Sequence, residues 1–259
     1  MNRIDACFQK KNKNVLSVYF TAGFPALNDT TGIIKALDKH GADMIEIGIP
    51  FSDPVADGPV IQASSKSALE NGITLNVLFE QLKDLRKITN MPVILMGYMN
   101  PVFKMGWDVF LERCHMTGVD GIIIPDFPPE EYEVSLLDKF KKYNIYNILL
   151  VTPQTPAERI KYLDQLSRGF IYMVSSYSTT GVQNGFGVEQ TDYFKRIERM
   201  NLKNPRMIGF GISDQETFQT ACRYAQGGII GTGFIRMLNE AKNIDENVGE
   251  FLRNIRGLI

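Results

Sequence analysis

Short apolar runs alternate with amphipathic runs along the whole chain. The apolar runs are VLSVYFTA (15–22), MIEIGIP (44–50), PVILMGY (92–98), GIIIPDF (121–127), YNILLVT (146–152), GFIYMVSS (169–176), MIGFG (207–211) and GGIIGTG (227–233). They are rich in Ile and Val, bounded by Gly or Pro and mostly continuous in apolarity, as strands buried on both faces are. Between them, LNVLFEQLKDLRKIT (75–89), EEYEVSLLDKFKKY (130–143) and AERIKYLDQL (157–166) carry helical spacing. The alternation predicts parallel strands joined by crossover helices. Eight strand candidates predict an α/β fold, a (β/α)8 TIM barrel, with an open doubly wound sheet as the alternative. RIDACFQKK (3–11) predicts an extra N-terminal helix, and residues 243–259 a closing C-terminal helix. No Ser/Gly-rich linker or low-complexity segment divides the chain, so 1–259 reads as a single TIM-barrel domain.

A weak internal repeat favours closure. HGADMIEIG (40–48), TGVDGIIIP (117–125) and AQGGIIGTG (225–233) each run from a helix end through Gly into a strand. The Gly in each is expected to supply a left-handed residue after the helix. In a closed barrel the active site lies on the loops at the C-terminal mouth of the strands.

Strand two breaks the apolar pattern. In MIEIGIP, period-2 alternation sets Met44, Glu46 and Gly48 on one face and Ile45, Ile47 and Ile49 on the other. Three β-branched residues suit the face covered by helices, so Glu46 points into the barrel. An ionised carboxylate buried without a partner costs several kcal/mol. Desolvation is expected to raise its pKa toward neutrality and let it take and return a proton near pH 7. A structural ion pair is the alternative, but no strand candidate from 15 to 152 contains Lys or Arg. The loop that follows, PFSDPVADGP (50–59), adds Asp53 and Asp57. Each of these acids is equally readable as a turn former. A metal site on Glu46, Asp53 and Asp57 is disfavoured, because Asp126 is the only further carboxylate at another strand end.

Three Gly-bearing loops follow the last strands: STTGVQNGFG (178–187), GFGIS (209–213) and GIIGTGF (228–234). Together they suggest a phosphate cradle built from backbone N–H groups and a short helix N-terminus. Tyr19, Phe20, Tyr98, Tyr172 and Phe210 lie near strand ends, where a planar apolar ligand would suit them, although each could be ordinary core.

Composition removes other function classes. The net charge is -1 and the pI about 6.2, which gives no nucleic-acid footprint. No apolar stretch reaches the ~18 residues of a membrane span, and the N-terminus has no signal-peptide core. Cys7, Cys114 and Cys222 read as reduced thiols of a cytoplasmic protein. His40 and His115 lie in helical stretches and do not support a His-based triad or metal site.

The chain resembles the tryptophan synthase α subunit family from about Phe8 to the last helix. The most specific match is E-x-G-x-P-F-S-D-P-x-A-D-G-P-x-I-Q over Glu46–Gln62. TAGFP (21–25), GVDGIIIPD (118–126), LVTPQTP (150–156), the Tyr172…Thr180-Gly181 stretch, GFGIS and Gly231-Thr232 also match. The resemblance implies a lyase that cleaves indole-3-glycerol phosphate to indole and glyceraldehyde 3-phosphate without cofactor or metal. It implies that Glu46 shuttles protons and that Asp57 accepts a hydrogen bond from the indole N–H. It further implies that Gly181, Gly211, Gly231 and Thr232 bind phosphate, and that Tyr19, Met96, Ile123, Tyr172 and Phe210 line the indole pocket. Thr180 would pair with Asp57 when its loop closes. Ser176 stands where many members carry Arg, which puts loop closure and its coupling to a partner in question.

The family also implies an α2β2 heterotetramer. Its β subunit carries pyridoxal phosphate and consumes the indole to make L-tryptophan. The loop at 50–59 and NPVFKMG (100–106) are the expected docking surface. Two other readings stand beside this one: a regulatory subunit with little activity alone, and another phosphosugar barrel, against which Glu46, Asp57 and the apolar lining argue.

Overall fold

The computed structural model describes residues 1–175 and 186–258. Its strands are β1 (Val15–Thr21), β2 (Met44–Gly48), β3 (Val93–Met96), β4 (Gly121–Ile123), β5 (Tyr146–Asn147), β6 (Leu149–Val151), β7 (Ile171–Val174), β8 (Arg206–Gly209) and β9 (Gly227–Ile230). Every pairing is parallel. The order is β5-β4-β3-β2-β1-β9-β8-β7-β6. The two ends of that order, β5 and β6, are separated by Ile148 alone, whose N–H donates to the Ile122 carbonyl at 3.0 Å. They act as one stave, so the sheet comes round on itself and the barrel of the sequence reading is obtained.

The alternation expected of strand two is realised throughout. Met44, Ile94, Ile123, Ile148, Tyr172, Met207 and Ile229 belong to the inner core, whereas Ile45, Ile47 and Ile49 pack in the layer beneath the helices. The helix Arg3–Lys10 closes the bottom, placing Ile4 and Phe8 against the inner core, with the Phe8 and Phe170 rings 6.1 Å apart edge to face. Buried Asp120 holds this plug through Arg3 (3.1 Å) and Arg86 (2.6 Å). Asp43 ties the last helix, Ile244–Arg256, to the same end through Arg256 at 2.8 Å.

Local structure departs from the sequence reading in three places. The 75–89 pattern forms two helices, Leu75–Gln81 and Leu85–Ile88, because the chain turns after Leu82 while Leu82 and Leu85 both stay buried. Within 130–143 the turn Tyr132–Leu136 widens to a π-helix, so Tyr132, Leu136 and Phe140 can all face the core. The third repeat lacks the expected left-handed glycine. Gly41 (φ +84°) and Gly118 (φ +83°) have it, but the helix Gln215–Tyr224 ends on extended Ala225.

Gly227 serves close approach instead: a Cβ there would sit 2.0 Å from the Val15 carbonyl oxygen on β1. Because backbone cannot swing aside, Gly227→Ala is expected to destabilise the fold by about 3 kcal/mol. A urea melt should show a lower midpoint with unchanged slope. A midpoint equal to the parent's would refute the steric argument.

Candidate active site

Glu46 lies inside the barrel, wholly buried, level with Tyr19 on β1 and Ile94 on β3. Its Oε1 accepts a hydrogen bond from Ser17 Oγ at 2.8 Å, while Oε2 is buried without a partner. Among the described residues no cation pairs with it, so the ion-pair alternative falls. Burial pushes its pKa from 4.5 up to about 8, against a smaller opposing effect of the Ser17 hydroxyl. At neutral pH this side chain is mostly a carboxylic acid.

Asp57 is half-buried in the loop after β2. Burial raises its pKa, and a hydrogen bond from the Tyr98 hydroxyl opposes that rise. Tyr98 organises the loop from the end of β3: its oxygen accepts from Ala56 N–H at 3.0 Å, and its ring lies 5.4 Å from that of Phe51. Asp53 is exposed and accepts from Ser52 Oγ at 2.5 Å, which fits a loop former. Asp126 accepts from Met99 N–H at 2.9 Å, a contact with the start of the helix Met99–Met105.

Two tyrosines complete the interior. Tyr19 reaches over Gly48, where a Cβ would lie 2.1 Å from its hydroxyl, and its ring edge lies 3.3 Å from the Cβ position of Gly231. One phenol thus spans from the Glu46 strand to the Gly-bearing loop after β9. Tyr172 likewise lies over Gly209, and its ring meets Phe210 at 6.4 Å. Burial, reinforced by the nearby Glu46 and Asp57 carboxyls, pushes both phenols well above the ordinary tyrosine range. Met96 and Ile123 are adjacent in register on β3 and β4 and face the same interior.

At the mouth, Phe210 (φ +67°) and Gly211 (φ +75°) turn the chain sharply after β8. The Ser175 hydroxyl donates to the Phe210 carbonyl at 2.7 Å. Gly231 caps the helix Thr232–Glu240, and the Cβ position of Gly233 lies 3.7 Å from the Ser213 carbonyl oxygen. The two loops therefore adjoin, with the free N–H groups of a helix start between them. Ser176, Thr180 and Gly181 lie outside the described residues.

The remaining candidates are structural. His40 meets Asp245 at 3.1 Å, His115 meets the Tyr143 carbonyl at 3.0 Å, and all three cysteines are free. Among the described residues no helix is long and apolar enough to cross a membrane. Sequence reasoning missed Ser17 altogether and left Tyr98 as mere lining. Ser17 had one signal, a small hydroxyl inside an apolar run, but only the register with β2 reveals its partner.

The family model described as tryptophan synthase alpha chain matches residues 6–257. The chain belongs to the tryptophan synthase alpha chain family. The tryptophan synthase alpha chain of Flavobacterium johnsoniae is 53% identical over 252 residues, covering 96% of this chain and 99% of that one. The crystal structure of tryptophan synthase subunit alpha from Legionella pneumophila superposes with TM-score 0.89 at 35% identity, covering 99% and 98% of the two chains. A tryptophan synthase complex from Pyrococcus furiosus superposes with TM-score 0.86 at 32% identity, covering 95% and 99%. The tryptophan synthase alpha fold thus frames the Glu46–Asp57 site.

Proposed function

We propose that this chain, as the α subunit of a tryptophan synthase, cleaves indole-3-glycerol phosphate with Glu46 as proton shuttle and Asp57 as the electrostatic partner at the indole nitrogen. The observation that carries this reading is that two carboxyls, one on β2 and one on the loop after it, are both raised by burial but differ in how exposed they are and in what opposes the rise. Glu46 stays protonated up to about pH 8, whereas Tyr98 favours the ionised form of Asp57. Paired carboxyls with divergent environments divide acid and base roles between them.

The Glu46 acid gives its proton to indole C3, and positive charge develops at the ring nitrogen. The Asp57 carboxylate accepts the N–H hydrogen bond and stabilises that charge. Ionised Glu46 then takes the proton of the hydroxyl on the carbon attached to C3. The C–C bond breaks, its electron pair returns to the ring, and the hydroxyl-bearing carbon becomes the aldehyde of glyceraldehyde 3-phosphate. Glu46 ends protonated as it began, so the cycle needs no electron acceptor and no cofactor. Gly211, Gly231 and Thr232 hold the phosphate, and the family resemblance adds Gly181, which lies outside the described residues. Tyr19, Met96, Ile123, Tyr172 and Phe210 surround the indole, and Thr180 pairs with Asp57 on loop closure.

The reading extends to a β subunit that consumes the indole within the cytoplasm, and the superposition on a tryptophan synthase complex from Pyrococcus furiosus supports such a partner. Val55 (85% exposed) and Phe103 (68% exposed) present apolar side chains on the two segments assigned to docking.

Indole release measured against pH tests the scheme. Asp57 must be ionised, so activity falls as pH drops through its raised pKa. Glu46 must start protonated, so activity falls as pH rises through about 8. A profile that keeps rising above pH 9 would overturn the acid role of Glu46. Release only in the presence of the β subunit would favour the regulatory-subunit alternative.

A further inference from the structure

The Ser17 hydroxyl is wholly buried in a layer whose register neighbours are apolar, Met44 on β2 and Ile229 on β9. Its hydrogen bond to Glu46 Oε1 at 2.8 Å leaves Oε2 as the unpartnered oxygen of the pair. A hydroxyl placed in an apolar layer and directed at one oxygen of a buried carboxyl selects between the two oxygens. With Ser17 donating, Oε1 is the acceptor in both protonation states, and the acidic proton of neutral Glu46 resides on Oε2.

We propose that Ser17 is a positioning residue that pins Oε1 of Glu46 and so makes Oε2 the oxygen that exchanges the proton with substrate. This rests on Glu46 being the proton shuttle. The titratable groups coupled to Glu46 are Tyr19 on β1 and Tyr172 on β7, and both also feel Asp57 on the loop after β2. Burial holds both phenols protonated well above the ordinary tyrosine range, and Asp57, also raised by burial, takes a Tyr98 hydrogen bond that opposes its rise. Ile94, the register neighbour on β3, contributes no charge. The transition near pH 8 is therefore assigned to Glu46: burial raises it, and the Ser17 bond, which favours the ionised form, opposes that rise.

The test compares the full chain with Ser17→Ala and Ser17→Thr. The Glu46 carboxyl is followed by infrared difference spectroscopy on isotope-labelled protein, and indole release is followed across the same pH range. In Ser17→Ala the Glu46 transition should rise by about one pH unit, in infrared and in the alkaline limb alike. Its kcat at pH 7 should fall about tenfold with little change in KM, the result of a carboxyl free to turn. A change of charge state cannot explain that loss, since a higher pKa only increases the protonated fraction. Ser17→Thr, which keeps the hydroxyl, should restore both quantities. An unchanged infrared transition in Ser17→Ala overturns the proposal. If instead the infrared transition moves while kcat and the alkaline limb stay at parent values, the carboxyl is pinned as described and the proton-shuttle role of Glu46 is what fails.

Discussion

Glu46→Gln is expected to slow indole release by ~10²-fold or more and, in the same protein, to raise resistance to denaturant at alkaline pH. The first effect follows from losing the group that the proposed mechanism has both give and take a proton. The second follows from linkage. The folded protein holds the Glu46 carboxyl at about 8 against 4.5 in the unfolded chain. Between those values the folded state binds a proton that the unfolded state does not, so stability declines as pH rises through that window and levels off above about 8. A displacement from 4.5 to about 8 corresponds to about 5 kcal/mol when fully expressed. A neutral amide of the same shape escapes that penalty. Chemical denaturation of parent and variant at pH 5 and pH 9 should therefore show the larger gain for Glu46→Gln at pH 9. A variant that is inactive because it is misfolded would lose stability at both, and near-normal turnover would remove Glu46 from the mechanism.

This opposition between stability and activity was visible in the sequence at one residue. A fold that needed only a strand would have placed Val or Ile at 46, and the period of 2 alone sent Glu46 inward. The eight staves were legible because each is a mostly apolar run, rich in Ile and Val and bounded by Gly or Pro. Residues whose role depends on register were not. Ser17 meets Glu46 because β1 and β2 pair Tyr19 with Glu46 and Ser17 with Met44, which no local pattern encodes. Tyr98 finds Asp57 and Ala56 only because β3 lies next to β2. Gly227 likewise resembles a helix terminator in sequence, and only its 2.0 Å approach to the β1 backbone explains why no side chain fits there. The helix breaks at 82–84 and the π turn at 132–136 escaped for a related reason: apolar spacing records which residues are buried, not how the backbone turns to bury them.

Asp57→Asn should lower kcat by ~10²-fold, the scale of a lost electrostatic contact to charge that develops only in the transition state. Asn matches Asp in size, and its carbonyl can still accept the Tyr98 hydrogen bond that braces the loop. What it lacks is the negative charge that the proposed mechanism sets opposite the indole nitrogen once C3 is protonated. The substrate carries no charge there before that step, so KM should move little while kcat carries the loss. The acid limb of the pH profile should disappear as well, since nothing at position 57 remains to be protonated. Stability should not suffer: burial raises the Asp57 pKa above 3.8, so the ionised form is slightly unfavourable in the fold and a neutral side chain relieves that. Asp53→Asn serves as the control, because Asp53 is exposed and engaged with Ser52, and its turnover should match the parent's. Parent-like kcat in Asp57→Asn together with a lowered melting temperature would restore Asp57 to the role of turn former. A loss confined to kcat, with the acid limb gone and the fold intact, requires its charge in the chemical step.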